Sequence, residues 1–488
     1  EEVKKTGVGG MLPEAFLARM RALLGGDYPA FLAAYDERPA RALHTGAKMT
    51  KERLAELLGE AVTPVPFAPD ALYRRDTASV GGDPLHHAGA YYMQEPSAML
   101  PVLCAGILPG ERVLDLCAAP GGKSTQIANR IGDAGLLVSN EYVPNRCVTL
   151  AGTLERMGVR TAVVTRTDAT TLAATYPGIF DAVVIDAPCS GEGMFRREPI
   201  AVSEWSPENV AMCAERQREI LAAGADTVRP GGRLVYSTCT FSPEENEENV
   251  LWFLRARTDF VLEEVPPEVA RMTVPGITPE ASDLGREVGR LSRRAYPYVA
   301  PGEGQFMCRF RRRVDVPATV SARGDGNRKA KKNAPREADV TPLTREEKAA
   351  FEAFLTSAGI DGALLPEPMQ FKGGISLLSP DVPTPRDITY ARGVNAGTVE
   401  KGRLCPEHFF FSAYGAYFAR QVDLLPGDPR LGAYLRGETF PCGLADGWAV
   451  VTVAGAPLGG IKVVGGVAKN HYPKGLRDKC EKCRSSAQ

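Results

Sequence analysis

The sequence predicts an α/β fold whose core is a parallel β-sheet with helices on both faces. Between residues 111 and 310, short apolar segments alternate with longer helical ones, and this order is typical of consecutive β-α-β units. A glycine-rich turn follows the first apolar segment, as it does in nucleotide-binding folds. The predicted strands are 112–117, 135–141, 161–165, 180–186 and 232–238, and the predicted helices are 122–131, 145–157 and 206–228.

Changes in composition divide the chain into segments around this core. The 488 residues are enough for roughly three domains of about 150 residues each. We expect a helical domain at 1–85, the α/β domain at 86–314, a basic linker at 315–340, an α+β domain at 341–425 and a compact β module at 426–488.

The first and last of these segments show different periodicities. Residues 12–60 place Phe16 and Met20 on one helical face and Phe31 and Tyr35 on another, so helices are predicted there. A further helix begins after Thr344, because Thr344 and Glu347 have the spacing of a capping box. From residue 448 onward apolar residues alternate with polar ones, which indicates a small β-barrel or sandwich.

Composition excludes several classes of protein. Hydrophobic residues make up 44% of the chain and charged residues 24%, as in an ordinary globular protein, and the net charge is −1. No segment reaches the roughly 18 apolar residues of a membrane span, and no signal-peptide apolar region is present near residue 1. The eleven cysteines are therefore expected to be reduced thiols in the cytoplasm.

The turn after the first strand has the features of a cofactor loop. Residues 118–122 form a tight turn, and a helix opens at Lys123, so that backbone N–H groups point at one place. Glu141 ends the second strand, where a ribose would be bound, and Asp168 follows the third, near an adenine. We expect an adenosine-bearing cofactor bound by the strand ends and the loop, namely Cys117, Ala118, Ala119, Pro120, Gly121, Gly122, Lys123, Glu141, Asp168 and Asp186.

A P-loop nucleoside triphosphatase, a dehydrogenase and a metal site fit these residues less well. The end of the loop is similar to a phosphate-binding P-loop, but Cys117 stands where the leading glycine of that motif would be. The GxGxxG spacing of a dehydrogenase is missing. Neighbouring His86 and His87 point apart on a strand, and Cys480 and Cys483 have no second cysteine pair, so no metal site is predicted.

Two cysteines follow strands at the same edge of the sheet. Cys189 comes after the fourth strand, close to Asp186, and Cys239 comes after the fifth. A thiolate that adds to C6 of a pyrimidine makes C5 able to attack an electrophilic methyl group. One cysteine would supply this thiolate, and the other would act as a base or assist release of the adduct.

Three segments resemble motifs of the Nol-Nop-Sun family of RNA cytosine-5 methyltransferases. They are LDLCAAPGGKS at 114–124, DAPCSGEGMFRR at 186–197 and VYSTCTFSPEENE at 235–247. The resemblance implies a Rossmann-like sheet and the cofactor S-adenosylmethionine. It makes Cys239 the nucleophile and Cys189 the group that resolves the adduct. It also implies that Asp186 holds the polar edge of the target base and that Lys123 supports the loop or transfers a proton.

The flanking segments extend the resemblance to a branch of the family that acts on bacterial 16S rRNA. These segments are QEPSAMLP, GEGQFM, GTVEKGR and KNHYPKGLR. The resemblance implies that the helical domain at 1–85 binds RNA and that the C-terminal β module is PUA-like. The expected function is methylation of cytidine in 16S rRNA by a monomeric enzyme. The alternatives are the same chemistry on tRNA, or a non-catalytic RNA-binding factor of ribosome assembly.

Arginine-rich segments are the expected contacts to RNA phosphates. We expect these contacts from Arg196, Arg197, the cluster Arg311 to Arg313 and the basic C-terminal segment 469–477. The run at 328–332 is either a solvated charge cluster or a further RNA contact.

Overall fold

The computed structural model describes residues 12–76, 80–316, 340–379 and 382–477. Most of the predicted linker, with the basic run at 328–332, lies outside these ranges, as do Cys480 and Cys483. No helix in the described ranges is long and apolar enough to cross a membrane.

The N-terminal domain combines helices with an antiparallel sheet. Its elements are α1 (Glu14–Leu24), α2 (Tyr28–Ala34), β1 (Ala42–Thr45), α3 (Lys51–Leu58), β2 (Val62–Pro64), β3 (Ala71–Arg74), α4 (Pro84–His87) and β4 (Tyr91–Gln94). The sheet has the order β2-β3-β1-β4. The prediction of helices alone for 12–60 is wrong at β1. All four residues of β1 are buried, so its sequence lacks the alternation that marks a half-exposed strand.

The central domain is built on one mixed sheet. Its first elements are α5 (Leu100–Ala105), β5 (Arg112–Asp115), α6 (Gly122–Ile131), β6 (Leu136–Asn140), α7 (Pro144–Met157), β7 (Ala162–Thr165), α8 (Ala169–Thr175), β8 (Phe180–Asp186), α9 (Pro199–Glu204), α10 (Pro207–Thr227) and β9 (Val228–Thr238). The strands β7-β6-β5-β8-β9 are neighbours and run parallel. The predicted parallel core is therefore confirmed, and its carboxyl ends form one edge.

Antiparallel strands extend this core on both sides. The remaining elements of the domain are α11 (Glu247–Ala256), β10 (Phe260–Glu263), α12 (Pro267–Ala270), β11 (Val274–Pro275), α13 (Asp283–Leu291), β12 (Arg293–Ala295) and β13 (Gln305–Arg312). β13 pairs antiparallel with β9. Apolar side chains on the two faces of the sheet form two large buried clusters.

The C-terminal part contains two further sheets. Its elements are β14 (Thr341–Pro342), α14 (Arg345–Ala358), β15 (Pro368–Phe371), β16 (Gly374–Leu377), β17 (Thr389–Arg392), β18 (Val394–Glu400), β19 (Arg403–Pro406), α15 (His408–Tyr414), β20 (Gln421–Leu424), α16 (Pro429–Leu435), β21 (Phe440–Pro441), β22 (Gly447–Val453), β23 (Ala456–Val464), β24 (Val467–Asn470) and α17 (Lys474–Arg477). One sheet has the order β14-β15-β16-β18-β19, and the other has the order β20-β22-β23-β24-β21. Thr344 forms the predicted capping box with Glu347.

The domains are joined by shared strands and shared apolar contacts. β17 leaves the C-terminal part and pairs antiparallel with β7, at the free edge of the central sheet. Leu43 and Tyr91 of the N-terminal sheet belong to the same buried cluster as Val451 and Leu458 of the last sheet. The N-terminal and C-terminal domains therefore pack on each other as well as on the central domain.

Candidate active site

The glycine loop joins β5 to α6 at the carboxyl-end edge of the sheet. Gly121 has φ +112, a conformation that side chains with a Cβ rarely adopt, and a Cβ there would lie 2.9 Å from the Thr153 methyl group. The hydroxyl of Ser124, in the first turn of α6, donates to Asp115 Oδ2 over 2.7 Å. Arg146 donates to the Ala119 carbonyl over 2.9 Å. The loop is thus held in place from both sides.

Asp115 is buried directly below this loop. Burial raises the pKa of its carboxyl group to about 6, although the hydrogen bond from Ser124 opposes the rise. Its second oxygen, Oδ1, has no hydrogen-bond partner among the described residues. Burial and the charge of Asp115 also raise the pKa of the Cys117 thiol, which therefore stays protonated.

Glu141 and Asp168 lie at the ends of β6 and β7, as predicted. Glu141 is 5% exposed, and its Oε1 accepts a hydrogen bond of 2.8 Å from the Val143 N–H group. Its Oε2 lies 3.6 Å from Arg146. Asp168 is exposed and caps the N-terminus of α8 by accepting from the N–H group of Thr171 over 2.9 Å. Asp168 thus has a local structural role in addition to any contact with a ligand.

Lys123 and Asp186 meet across the gap between the loop and β8. Lys123 Nζ donates to Asp186 Oδ2 over 2.6 Å. The other carboxylate oxygen accepts from Ser237 over 2.8 Å and from the amide of Gln305 over 2.9 Å. Burial lowers the pKa of Lys123, but the charge and hydrogen bond of Asp186, with the charges of Asp115 and Cys239, raise it overall. Lys123 is therefore a fixed cation at this edge.

The two predicted cysteines are in contact. Cys189 Sγ and Cys239 Sγ lie 3.3 Å apart, and both side chains are partly exposed. The Gly193 N–H group donates to the Cys239 carbonyl over 2.9 Å, which ties the loop of one cysteine to the strand of the other. The hydrogen bond to Cys239, burial and the nearby carboxylates of Glu245 and Asp186 raise the pKa of Cys189 well above its ordinary value.

A buried carboxylate fixes the loop that carries Cys189. Glu245 accepts from the Ser190 N–H group over 3.0 Å, from the Ser190 hydroxyl over 2.5 Å and from Gln217 over 2.7 Å. Gln217 also donates to the Pro188 carbonyl over 3.0 Å. Burial raises the pKa of Glu245, and the hydrogen bonds from Ser190 and Gln217 oppose that effect.

Three positions in this site were not predicted from the sequence. They are Asp115, Glu245 and Gln305, which hold the loop, the Cys189 segment and Asp186 respectively. All three stand inside motifs that the sequence analysis had already singled out, but the strand pattern alone gave no reason to choose them. Adjacency in space, rather than spacing in sequence, identifies them.

Several of the arginines expected to contact RNA instead form hydrogen bonds and ion pairs within the protein. Arg196 is buried and donates to Glu303 over 2.6 Å and to the Ala34 and Gly302 carbonyls. Arg312 is also buried, 3.5 Å from Asp259, and Arg311 is paired with Glu263 over 2.8 Å. The expectation of phosphate contacts from Arg196 and Arg312 is therefore wrong, because internal carboxylates and carbonyls hold their guanidinium groups.

No group of three or more His, Cys, Asp or Glu side chains within the described ranges could hold a metal ion. His86 and His87 lie at the end of the helix α4, so the expectation that they stand on a strand is wrong. His87 Nε2 lies 3.0 Å from the Gly81 carbonyl oxygen, and its Nδ1 lies 3.3 Å from the Tyr472 hydroxyl, which belongs to the last domain.

Comparisons with known proteins agree with this arrangement. A family model described as 16S rRNA methyltransferase RsmB/F matches residues 106–311. Models of the N-terminal domain of 16S rRNA methyltransferase RsmF and of the methyltransferase RsmF PUA domain match 12–96 and 422–478. A methyltransferase homolog protein from Pyrococcus horikoshii has a similar structure, with a TM-score of 0.54 and 28% identity, over 62% of this chain and 95% of that one. The predicted methyltransferase fold and PUA-like module are confirmed.

Relatives of this chain include proteins named ribosomal RNA small subunit methyltransferase F. The protein from Escherichia coli O81 (strain ED1a) is 35% identical over 63% of this chain, and that match spans 64% of the relative's length. The protein from Klebsiella pneumoniae (strain 342) is 31% identical over 95% of this chain and 96% of its own length. The chain therefore belongs to the family of 16S rRNA methyltransferase RsmF.

Proposed function

We propose that this protein transfers a methyl group from S-adenosylmethionine to carbon 5 of cytidine in 16S rRNA, through a covalent bond between Cys239 and C6 of the base. The observation that carries the proposal is the contact of the two thiols, 3.3 Å apart, beside the pair of Lys123 and Asp186. A thiol nucleophile, a second thiol and a base-binding carboxylate are what an addition-elimination at a pyrimidine requires.

The charges around the two sulfur atoms favour Cys239 as the nucleophile. Lys123 lies within electrostatic range of the Cys239 sulfur, so a thiolate formed there would have a cation beside it. Cys189 instead faces the carboxylates of Glu245 and Asp186, and its raised pKa keeps it protonated at neutral pH. A nearby cation stabilises a thiolate and nearby carboxylates oppose one.

The residues of the glycine loop fit the cofactor. Gly121 has positive φ where the loop enters α6, and the backbone N–H groups at the start of a helix favour an anionic ligand such as a carboxylate. Asp115 Oδ1 is a buried acceptor with no partner among the described residues, so it is suited to a donor group. Glu141 Oε2 would accept from the ribose hydroxyls.

When bound, S-adenosylmethionine supplies the electrophilic methyl group. Cys239 adds as a thiolate to C6, and the electron pair placed on C5 takes the methyl group. Asp186 holds the polar edge of the base. As the C5 proton leaves to water and the C6–S bond breaks, the Cys189 thiol gives its proton to the departing sulfur. A proton then moves from the Cys239 sulfur back to the Cys189 sulfur, which restores the Cys239 thiolate and the Cys189 thiol.

The choice of 16S rRNA rests on the family and on the C-terminal module. Both relatives are named for the small-subunit RNA, and the last domain matches a PUA model. Methylation of tRNA by the same chemistry and a non-catalytic role remain the competing outcomes. Bisulfite sequencing of rRNA and tRNA from a deletion strain separates the three, because each predicts a different set of lost 5-methylcytidines.

The roles of the cysteines are tested by two alanine variants. Cys239→Ala should abolish both methylation and any covalent enzyme–RNA complex. Cys189→Ala should still attack and methylate but release slowly, so a complex that survives a denaturing gel should accumulate. Cys405→Ala is the matched control, because Cys405 is exposed on β19, outside the site.

Two results would contradict the assignment. An adduct that forms with Cys239→Ala and disappears with Cys189→Ala would reverse the two roles. Methylation that persists in both variants, with no adduct in either, would remove the covalent mechanism.

A further inference from the structure

Three cations from two domains meet beside the end of β7. Arg166 directly follows β7, Lys372 lies at the tip of the β15–β16 hairpin, and Arg386 precedes β17. Because β17 pairs with β7, and the Arg166 N–H group donates to the Ile388 carbonyl over 2.7 Å, these segments are held side by side. The cluster therefore lies at the same edge of the sheet as Glu141 and Asp168.

A small cavity opens beside two of these residues, Lys372 and Arg386. It has a volume of about 130 Å³ and is lined by Gln370, Phe371, Lys372, Gly373 and Arg386. At about 30 Å³ for each water molecule, it has room for about four waters, which is enough for a phosphate group. Lys372 Nζ is steadied at the cavity by the Thr389 carbonyl, 2.6 Å away, and by the Phe371 ring, 5.5 Å from its centroid.

Lys372 lies within electrostatic range of two further cations. Partial burial and the positive charges of Arg386 and Arg166 lower the pKa of Lys372. Among the described residues, neither Lys372 nor Arg166 has a carboxylate within ion-pair distance, in contrast to Arg196, Arg311 and Arg312, which are paired internally. Two like charges that the fold brings together without a counter-charge favour binding of an anion.

We propose that Arg166, Lys372 and Arg386 bind the phosphate backbone of the substrate RNA, a few nucleotides from the target cytidine. The proposal rests on the proposed function, because it takes RNA as the anion. β7 is four strands away from β9, which carries Cys239, and neighbouring strands are about 4.8 Å apart. The distance of roughly 19 Å is one that a short run of nucleotides spans.

The first test removes two of the charges. The double variant Arg166→Gln with Lys372→Gln should bind a 16S rRNA transcript about tenfold more weakly at about 0.1 M salt, and the slope of log affinity against log salt should become shallower by about 1.5. Affinity for S-adenosylmethionine, measured by isothermal titration, should stay unchanged.

Lys401→Gln is the matched control for this variant. Lys401 also stands at a hairpin tip of the same sheet, is exposed, has φ +51 where Lys372 has φ +50, and is followed by a glycine. It lies between β18 and β19, away from β7. We expect RNA affinity and salt slope of this variant to equal those of the wild type.

The second test uses the unmodified protein. Lysine acetylation by an N-hydroxysuccinimide ester, read by peptide mass spectrometry, should slow at Lys372 when the RNA transcript is present. Lys401 in the same sample should react at the same rate with and without RNA. This measurement does not depend on how well a variant folds.

The outcomes separate this proposal from the proposed function. The phosphate site would be overturned if the double variant kept the RNA affinity and salt slope of the wild type, or if Lys401→Gln lost as much RNA affinity as the double variant. Acetylation of Lys372 at the same rate with and without RNA would also overturn it. Protection of Lys372 in a protein that binds the transcript without methylating cytidine would support the site while overturning the proposed reaction. A wild-type protein that binds no RNA would overturn both.

Discussion

Asp115 carries a charge that the fold disfavours. Burial raises the pKa of its carboxyl group to about 6 from an ordinary value of 3.8. The folded state therefore binds this proton more tightly than the unfolded state, and the contribution of Asp115 to the free energy of unfolding should fall as pH rises from about 4 to 6. A buried charge without a partner at its second oxygen is typical of a residue that serves a ligand.

Replacement of Asp115 by asparagine tests the free-energy cost of burying this charge. The amide side chain would still accept the hydrogen bond from Ser124 but would not ionise, so Asp115→Asn should be more stable than the wild type at pH 7 by up to roughly 3 kcal/mol. The advantage should shrink as pH falls from 6 and vanish near 4. Denaturant unfolding of both proteins between these pH values measures it. If the free energies of unfolding of the two proteins changed with pH in the same way, the charge of Asp115 would not destabilise the fold.

Glu141 is the residue proposed to bind the ribose of the cofactor. Its Oε1 is already held by the Val143 N–H group, and its Oε2 lies 3.6 Å from Arg146. Glu141→Ala should weaken binding of S-adenosylmethionine by roughly 1.5 to 3 kcal/mol, the size of a lost charge-assisted hydrogen bond. Isothermal titration measures the change, with Glu264→Ala as control because Glu264 is 79% exposed. Unchanged binding would mean that Glu141 does not contact the ribose.

Residues that follow strands were predictable, and residues that support them were not. Cys189, Cys239 and Asp186 could be chosen because the carboxyl ends of parallel strands share one edge. Gln305 comes from β13, which pairs antiparallel with β9 far along the chain, and no periodicity links it to Asp186. Arg196 failed as a predicted RNA contact because the sequence does not show that Glu303 lies beside it.

At the scale of elements, β17 and β18 connect two sheets through one residue. β17 extends the central sheet at β7, and β18 lies in the next domain beside β16. Gly393, between them, has φ +52, and its N–H group donates to the Ala162 carbonyl over 2.8 Å. The alternation of strands and helices predicted the parallel core, but not this added strand, because β17 is separated from β7 by more than two hundred residues.

Gly393 should therefore be one of the costliest positions for a methyl group. A Cβ there would lie 2.0 Å from the Leu377 carbonyl oxygen and 2.7 Å from the Leu378 side chain. We expect Gly393→Ala to lower the free energy of unfolding by at least about 3 kcal/mol, from backbone strain and steric overlap together. Gly427→Ala is the control, because Gly427 also has positive φ but no atom within 4 Å, and its cost should be about 1 kcal/mol. If both variants lose the same free energy of unfolding in urea, the cost comes from the positive φ alone and not from steric overlap.

At the scale of the molecule, one lysine joins all the domains. Lys48 Nζ donates to the Ala88 carbonyl of the N-terminal domain over 2.8 Å and to the Arg156 carbonyl of the central domain over 2.8 Å. It also lies 2.6 Å from the Ser412 hydroxyl of α15 and 3.1 Å from the Pro457 carbonyl of β23. Since these partners are up to 409 residues away in sequence, the junction could not be predicted from local patterns. The C-terminal half is thus built into the fold and is not a detachable appendage.

Removal of the Lys48 amino group should weaken the contacts between the domains. Lys48→Met keeps a similar chain length but leaves three carbonyl oxygens and the Ser412 hydroxyl without their donor, so unfolding should become easier by roughly 2 to 3 kcal/mol. Lys348→Met, on the exposed face of α14, should change stability by less than about 0.5 kcal/mol. Urea unfolding gives both values, and limited proteolysis should cut Lys48→Met faster between the central and C-terminal domains. If both variants unfold like the wild type, the shared apolar cluster alone holds the domains together.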